Sequence, residues 1–378
     1  MALHYPSHLL RSLTERQHNG QLRTLKSDFP KIDFCSNDYL GFSKLGLLAG
    51  KLKSHEQDMN FRMGAGGSRL NRGNSKLMEE AETQISLFHH GESALIFNSG
   101  YDANLGLLSC IPQKTDLILY DELVHASILD GIRLSQTTHY KFQHNDLHSL
   151  EELIHRHHHS YENIYVIVES VYSMDGDTAP LIELSDLCNQ SKQLFLIVDE
   201  AHAIGVFGNQ GRGLCNALGI EKSCFARVYT YGKAMGCHGA SIVGSEVLKK
   251  YLINFSRPFI YTTSLPDYSV YAILNAYQLL IETNQKDLLH SNIAYFFSRS
   301  KSIKSLIKSQ SAIQTLFIGN PVSSDKLIAL LQSHNIHVRD YKSPQVKTGA
   351  ERIRISLHAF NTKQEIDALL DVIAGFKY

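Results

Sequence analysis

Two stretches of sequence decide how this chain folds: Leu196-Ile197-Val198-Asp199-Glu200-Ala201-His202 and, about thirty positions later, Val228-Tyr229-Thr230-Tyr231-Gly232-Lys233. The first lies in an apolar run from Leu194 to Val198, which is typical of a parallel strand buried on both faces. The second is a short strand followed by a lysine. Open α/β sheets bind ligands beyond the carboxyl ends of their strands. An acid, a histidine and a lysine in such positions therefore predict a carbonyl cofactor held on Lys233.

Strand-like apolar runs near residues 95, 118, 166, 196 and 228 alternate with helical segments. This rhythm predicts an α/β fold with a doubly wound, mainly parallel sheet. We expect an N-terminal arm and short strand at 1–45, a large domain at 46–275 and a smaller α+β domain at 276–378. The arm is predicted to be a polar helix over residues 1 to about 30. Near the C-terminus, Thr362 and Glu365 form the capping box of a final helix.

The composition is that of a soluble globular protein. Lys+Arg and Asp+Glu both number 37, so the formal net charge is zero. A neutral chain gives no reason to expect nucleic acid or a membrane surface as a partner. No apolar run approaches the ~18 residues of a spanning helix, and the N-terminus lacks a signal-peptide core. We expect a cytoplasmic protein whose six cysteines are free thiols.

A turn of small residues is the candidate phosphate site. Ser99, Gly100 and Tyr101 separate a strand ending at Phe97 from a helical stretch, so that free backbone N–H groups would point at an anion. The glycine-dense stretch 64–73 fails the G-x-G-x-x-G fingerprint of nicotinamide dehydrogenases, because Arg69 occupies the last glycine position. The turn at 99–101 is therefore preferred.

The histidines need separate interpretations. His125 follows a strand and could cover a planar ligand, although a core or capping role is an open alternative. The histidine-rich run at 155–159 has no carboxylate or thiolate partners in its sequence neighbourhood. A metal site needs converging ligands with supporting hydrogen bonds, so we interpret this run as a solvated helix end and predict no metal.

The order of motifs resembles that of the α-oxoamine synthases, a family of fold-type-I pyridoxal-phosphate enzymes, over nearly the whole chain. The matching stretches are Ser36–Gly41, Gly64–Ser75, His125–Ser127, Phe142–Asp146, Ser173–Asp177 with Ala179–Leu181, Asp199–His202, Gly208–Gly213 and Thr230–Lys233. This resemblance implies pyridoxal 5'-phosphate as the cofactor. It also implies a homodimer with shared active sites.

The resemblance assigns roles to the catalytic residues. Lys233 would bind the cofactor covalently and then transfer protons, while Asp199 would pair with the ring nitrogen. His202 would hydrogen-bond the phenolic oxygen of the ring, and His125 would stack on its face. The further cofactor contacts implied are Ser99, Gly100, Tyr101, Ser173, Thr230 and, from the neighbouring subunit, Thr262 and Thr263.

The resemblance also suggests how a substrate is held. Arg354 would bind an amino-acid carboxylate with its planar fork of donors. Arg23 and Asn37 would lie near the substrate. Lys342 and Gln345 stand in a segment that reads Arg-Pro-Pro-Thr-Val in related enzymes, and this departure falls where an acyl substrate would enter.

Within the family the chain most resembles members that condense L-alanine with pimeloyl-CoA or pimeloyl-acyl carrier protein in biotin synthesis. Ser68 favours alanine over glycine as the amino acid. The alternatives are sibling enzymes of the 5-aminolevulinate synthase, 2-amino-3-ketobutyrate ligase, serine palmitoyltransferase and aminoketone signal synthase types. A catalytically idle scaffold that holds the cofactor is disfavoured by the intact set of Asp199, His202 and Lys233.

Overall fold

The computed structural model describes residues 5–54, 62–307 and 309–377. Its strands are β1 (Ile32–Asp33), β2 (Ser93–Phe97), β3 (Leu117–Asp121), β4 (Thr138–Phe142), β5 (Ile164–Glu169), β6 (Leu194–Asp199), β7 (Cys224–Thr230), β8 (Ala240–Gly244), β9 (Leu306–Ile307), β10 (Ile313–Phe317), β11 (Ile336–His337), β12 (Arg339–Tyr341) and β13 (Arg352–Ser356). Its α-helices are α1 (Ser7–His18), α2 (Leu47–Lys53), α3 (Lys76–Phe88), α4 (Gly100–Leu108), α5 (Ala126–Ser135), α6 (Leu147–His157), α7 (Leu181–Asn189), α8 (Leu214–Leu218), α9 (Glu246–Phe255), α10 (Arg257–Ile260), α11 (Asp267–Glu282), α12 (Gln285–Arg299), α13 (Pro321–Ser333) and α14 (Lys363–Gly375).

A seven-stranded sheet forms the centre of the molecule, in the order β2-β8-β7-β6-β5-β3-β4. Strand β8 is antiparallel to both of its neighbours, and the other pairings are parallel. All residues of β2 and β5 are buried, as expected for strands covered by helices on both faces. The predicted α/β architecture with a mainly parallel sheet is confirmed.

A second sheet is antiparallel and has the order β12-β13-β10-β9. In β13, Arg354 faces Thr315 of β10 and Arg339 of β12 across the sheet. The short strand β1 pairs in parallel with β11, which ties the N-terminal segment to the C-terminal part of the chain. The predicted capping box of α14 is present, with Thr362 and Glu365 bonding each other's backbone N–H groups.

The N-terminal arm differs from the prediction of one polar helix over residues 1 to about 30. Helix α1 ends at His18, and Gly20 follows with a φ of 64°, the left-handed conformation that commonly closes a helix. Residues 21–31 are not helical, and residues 1–4 lie outside the described part of the chain. None of the residues of α1 is buried.

The predicted domain boundary at residue 275 falls inside α11, whose apolar residues are buried in the same core as those of α3. The two-domain division therefore stays a prediction. Among the residues that the structure describes, no helix is both long enough and apolar enough to cross a lipid bilayer.

Candidate active site

The carboxyl ends of β2, β3, β5, β6 and β7 lie at one edge of the central sheet, because these strands run in the same direction. The segments that follow them carry most of the side chains expected to bind a cofactor. Lys233 comes three residues after β7, in a loop that closes when Tyr231 N donates to Gly239 O at 2.9 Å. Ligands of α/β sheets bind at such an edge.

Lys233 lies beside His202 in this region. Its Nζ is 2.9 Å from Nε2 of His202, and Nδ1 of His202 is 2.8 Å from the hydroxyl of Tyr39. Tyr39 donates its own proton to Asn37 Oδ1 at 3.2 Å. The ring nitrogen Nδ1 must then donate to Tyr39, which leaves Nε2 free to accept from Lys233.

The protonation states agree with this direction of hydrogen bonding. Burial lowers the pKa of His202 well below its usual value, and the nearby charges of Lys233 and Arg354 lower it further, so the ring is neutral. Burial also lowers the pKa of Lys233 to about 8, although the carboxylates of Asp199 and Glu169 oppose the shift. Lys233 can therefore hold or release a proton near neutral pH.

Arg354 stands at the other end of this hydrogen-bonded chain. Its Nη2 donates to the Tyr39 hydroxyl at 3.0 Å and also to Asn37 Oδ1. Its Nε is buried and has no hydrogen-bond partner among the described residues. A buried guanidinium with a free donor is suited to bind a carboxylate, because an unpaired buried donor is costly.

Asp199 is held in place by two donors. Its Oδ2 accepts from Asn104 Nδ2 at 2.7 Å, and its Oδ1 accepts from the backbone N–H of Ala201 at 2.9 Å. The side chain is buried at the end of β6, with only 5% of its residue surface exposed. Asn104 also donates to Ser127 Oγ at 3.0 Å, which links Asp199 to the segment that carries His125.

A second carboxyl lies next to Asp199. Glu169 is paired with Asp199 in the register of β5 and β6, and it is buried. Burial raises the pKa of Glu169 to about 8, and the charge of Asp199 adds to the shift. Its Oε1 has no hydrogen-bond partner among the described residues. Glu169 therefore keeps its proton at neutral pH, which avoids a second buried negative charge beside Asp199.

His125 caps the N-terminus of α5, and its ring stays exposed. Its Nδ1 is 2.8 Å from Ser127 Oγ, which fixes the ring orientation. The ring of Tyr101 meets it edge to face, with 6.4 Å between the ring centroids. The capping role left open by the sequence is thus present, and it leaves the ring face free to meet a planar ligand.

The turn after β2 has the form of an anion cradle. Ser99 caps α4 by accepting the N–H of Asp102 at 3.1 Å. Gly100 packs so closely on Thr230 that a Cβ atom would stand 2.2 Å from Thr230 Oγ1. The approach of this backbone to Thr230 requires glycine at position 100. The first-turn N–H groups of α4 and the hydroxyl of Thr230 can together bind a phosphate.

Thr262 and Thr263 follow α10 and were predicted to contact the cofactor from the neighbouring subunit. In this structure they lie beside the cradle of their own chain. Asn98 Nδ2 donates to Thr262 Oγ1 at 3.1 Å and to the carbonyl of Thr263 at 2.8 Å. Ser173 lies in the turn after β5 and is half-buried. The preceding Ser170 N–H donates to the carbonyl of Asp199 at 2.9 Å, which brings the start of this turn to the same sheet edge.

The remaining residues predicted to bind substrate, Lys342, Gln345 and Arg23, form a separate group. Lys342 is engaged by two carboxylates, Asp340 at 2.9 Å and Asp325. Gln345 is exposed and closes a turn by donating its N–H to the carbonyl of Lys342 at 2.9 Å. Arg23 is exposed, two residues from Gln21, whose Nε2 reaches the carbonyl of Ser343. The N-terminal segment and this turn are therefore neighbours.

Three residues of the site have no role assigned from sequence: Tyr39, Asn104 and Glu169. Tyr39 stands in a motif used for the family resemblance, and Glu169 ends a predicted strand, so both carry a signal that could have been used. Asn104 lies inside a helix and gives none. Its amide reaches Asp199 only because α4 packs on the central sheet, against β2, β7 and β8.

Comparison with known proteins points to the same family as the sequence motifs do. The sequence matches the aminotransferase class I and II family over residues 30–373. It is 38% identical to the 8-amino-7-oxononanoate synthase of Emericella nidulans, over 97% of this chain and 94% of that protein. The structure resembles the 8-amino-7-oxononanoate synthase of Francisella tularensis with a TM-score of 0.78 and 30% identity, over 91% of this chain and 96% of that one. A serine palmitoyltransferase of S. paucimobilis with PLP and myriocin bound gives a TM-score of 0.85 and 25% identity, over 97% and 96% of the two chains.

Proposed function

The chain belongs to the class I and II aminotransferase family and, within it, to the α-oxoamine synthases, and we propose that it condenses L-alanine with a pimeloyl thioester. It is a pyridoxal-phosphate-dependent acyltransferase. The products of the proposed reaction are 8-amino-7-oxononanoate, carbon dioxide and the free carrier thiol. The observation that carries the proposal is the hydrogen-bonded chain that joins Lys233 to Arg354, since it unites a base and a carboxylate binder in one site.

The residues present fit pyridoxal phosphate. An amine of lowered pKa at Lys233 suits an aldehyde, and a buried carboxylate at Asp199 suits a ring nitrogen that must stay protonated. The close approach of Gly100 to Thr230 leaves backbone N–H groups for the phosphate. Ser99, Tyr101 and Ser173 complete the proposed contacts, with Thr262 and Thr263 beside the cradle. When bound, the cofactor supplies an aldehyde for the amino group and a ring that accepts the electrons of a broken Cα bond.

Four side chains of the protein have separate roles in the proposed reaction. Arg354 binds the alanine carboxylate through its free Nε and orients the Cα–H bond towards Lys233. Lys233 Nζ removes the α-proton, and a positioned base of this kind contributes ~10²–10⁴-fold. Neutral His202 holds Nζ in place and donates through Nδ1 to Tyr39. His125 covers the opposite side of the site.

The acyl transfer follows from the chemistry of the substrates. The alanine Cα forms a bond to the thioester carbonyl carbon as the C–S bond breaks, and the departing carrier thiolate takes a proton from solvent. The resulting β-keto acid loses its carboxylate as carbon dioxide, and Lys233 returns a proton to Cα. Asn37, Arg23, Lys342 and Gln345 are proposed to line the entry of the acyl chain, and L-alanine, pimeloyl-CoA or pimeloyl-acyl carrier protein are the proposed substrates.

The active unit is proposed to be a homodimer, as the family resemblance implies. The names of the relatives support alanine and pimeloyl thioester as substrates. Serine with a long-chain acyl thioester is the competing pair, since a serine palmitoyltransferase has a TM-score of 0.85 to this structure.

The test is a substrate panel. Purified enzyme loaded with pyridoxal phosphate is given alanine, glycine, serine or threonine, each with pimeloyl, acetyl, succinyl or palmitoyl thioesters, and the ketone product is identified by mass. We expect a product from alanine with the pimeloyl donor alone. Consumption of serine with palmitoyl-CoA, and not of alanine, would refute the proposal. The Lys233→Ala variant should give no product with any pair.

A further inference from the structure

A second ionic cluster lies beside the proposed active site and is centred on His144, between β4 and α6. Nδ1 of its ring is 2.9 Å from Asp121 Oδ1, and Nε2 is 2.7 Å from Asp177 Oδ2. Although burial opposes the charge, the hydrogen bonds that the ring donates to the carboxylates of Asp121 and Asp177 raise the pKa of His144 to about 10. The ring is therefore a cation at neutral pH and donates from both nitrogens.

Residues around His144 add further contacts between the end of β3 and the turn formed by residues 172–177. Asp121 is fully buried at the end of β3, and it also accepts the backbone N–H of Asn145 at 2.9 Å. The side chain of Asn145 donates to Asp177 Oδ2 at 2.8 Å. The rings of Tyr172 and His144 meet edge to face, with 4.5 Å between their centroids. The backbone N–H of Tyr172 donates to the carbonyl of Asp177. The cluster therefore contacts Tyr172 and Asp177, the first and last residues of the turn at 172–177.

The opposite side of this turn is fixed to the antiparallel sheet. Asp175 forms an ion pair with Arg352 of β13, and Thr315 Oγ1 of β10 donates to the carbonyl of Met174 at 2.7 Å. Gly176 has a φ of 73°, and a Cβ atom there would lie 2.3 Å from the carbonyl of Ile313. The turn is therefore wedged between the two sheets with no room for a side chain at position 176.

We propose that His144 is a positioning residue that holds the turn at 172–177 and thereby sets both the cofactor and the substrate contacts. Ser173, a proposed cofactor contact, lies within the turn. Arg352 lies on β13 two residues from Arg354, so the ion pair with Asp175 aligns the strand that binds the amino-acid carboxylate. The inference rests on the proposed function for the roles of Ser173 and Arg354.

The physical reason is the charge balance of the cluster. Without the cation, the buried carboxylate of Asp121 and that of Asp177 would lose their shared partner, and the two like charges would repel each other. Asp177 is the member that can move, because it is part-exposed and lies in a turn, whereas Asp121 ends a buried strand. The expected response to loss of the cation is therefore a displaced turn in a folded protein.

The test measures cofactor affinity in His144→Gln. Apoenzyme is prepared, and the binding of pyridoxal phosphate is measured by equilibrium dialysis. We expect the dissociation constant to rise on the order of tenfold or more, as for the loss of charge-assisted hydrogen bonds. The KM for the amino acid should also rise, with kcat at saturating cofactor nearly unchanged. The matched control is His148→Gln, since this exposed histidine of α6 lies 3.6 Å from Glu152 and away from the cluster.

Three further variants keep the test decisive: Asp177→Asn, the double variant of His144→Gln with Asp177→Asn, and Arg352→Gln. Asp177→Asn keeps the size of the side chain and should weaken cofactor binding by itself. The double variant should lose little more than either single variant, because both act through one contact. Arg352→Gln should raise the KM for the amino acid more than it weakens the cofactor. The proposal is overturned if His144→Gln and Asp177→Asn lower the melting temperature but bind the cofactor as the wild type does. Cofactor binding is independent of the acyl donor, so an error in the proposed substrates would leave this result unchanged.

Discussion

In the apoenzyme, the amine of Lys233 should react with an aldehyde much faster at pH 7 than an ordinary lysine does. The unprotonated amine is the nucleophile, and burial lowers the pKa of Lys233 from 10.5 to about 8. At pH 7 the neutral fraction is then about one in ten, compared with about one in 3000 for a lysine of ordinary pKa. Burial therefore raises the unprotonated, reactive fraction of Lys233 at pH 7 by ~300-fold.

The assay uses a change of pH as the perturbation. Apoenzyme is mixed with an aromatic aldehyde that has no ionisable group, the adduct is trapped with borohydride, and its position is identified by peptide mass. The rate at Lys233 should rise about tenfold per pH unit at low pH and level off near pH 8. A rate that keeps rising through pH 9 towards the behaviour of a free lysine would refute the reasoning.

The carboxylates beside Lys233 provide a second check on the same pKa. The carboxylate of Asp199 raises the pKa of Lys233, so removing its charge should lower that pKa. In Asp199→Asn the midpoint of the aldehyde reaction should therefore move to lower pH. The Lys233→Ala variant is the control that identifies reaction at other lysines. A midpoint that moves upward in Asp199→Asn would contradict the electrostatic account.

Three other changes have defined outcomes. Arg354→Lys should raise the KM for the amino acid about ten- to hundredfold, since an ammonium lacks the planar fork, and an unchanged KM would exclude carboxylate binding there. Gly100→Ala should weaken binding of pyridoxal phosphate about tenfold or more in dialysis, because its Cβ would stand 2.2 Å from Thr230 Oγ1, and unchanged affinity would place the phosphate elsewhere. The pKa of His144 is raised from 6.5 to about 10, so its stabilisation is complete below pH 6.5 and is lost as the pH rises through 10. The melting temperatures of wild type and His144→Gln should then converge above pH 10, and a constant difference would contradict this account.

Much of the central sheet could be predicted because its inner strands are buried on both faces. The inner strands β3, β5 and β6 are mostly apolar, and such runs are visible in the sequence. The edge strand β2 is also buried and mostly apolar, and β7 is apolar around the buried Arg227. The sequence pattern does not show β4, because His139, Tyr140 and Lys141 are exposed there and leave no apolar run. The pattern does not show β8 either, because only Ile242 and Val243 of its five residues are large and apolar.

In the candidate site, too, the sequence pattern identifies some residues and not others. The sequence assigned Asp199, His202 and Lys233 to one site because all three follow strands at the same sheet edge. It assigned Arg354 only through a family resemblance, because β13 belongs to a different sheet and more than a hundred positions separate it from Lys233. Tyr39 closes this distance in space, with one hydroxyl that meets both His202 and Arg354.

The sequence by itself determined the fold class and the chemical groups available, because the burial of apolar strands and the residues at their ends are local properties of the chain. Only the tertiary structure decided the protonation of Lys233, the tautomer of His202 and the doubly paired state of His144. Each of these depends on burial and on charges that come from distant segments. A sequence pattern carries neither quantity, since both arise only when separate strands and turns are packed together.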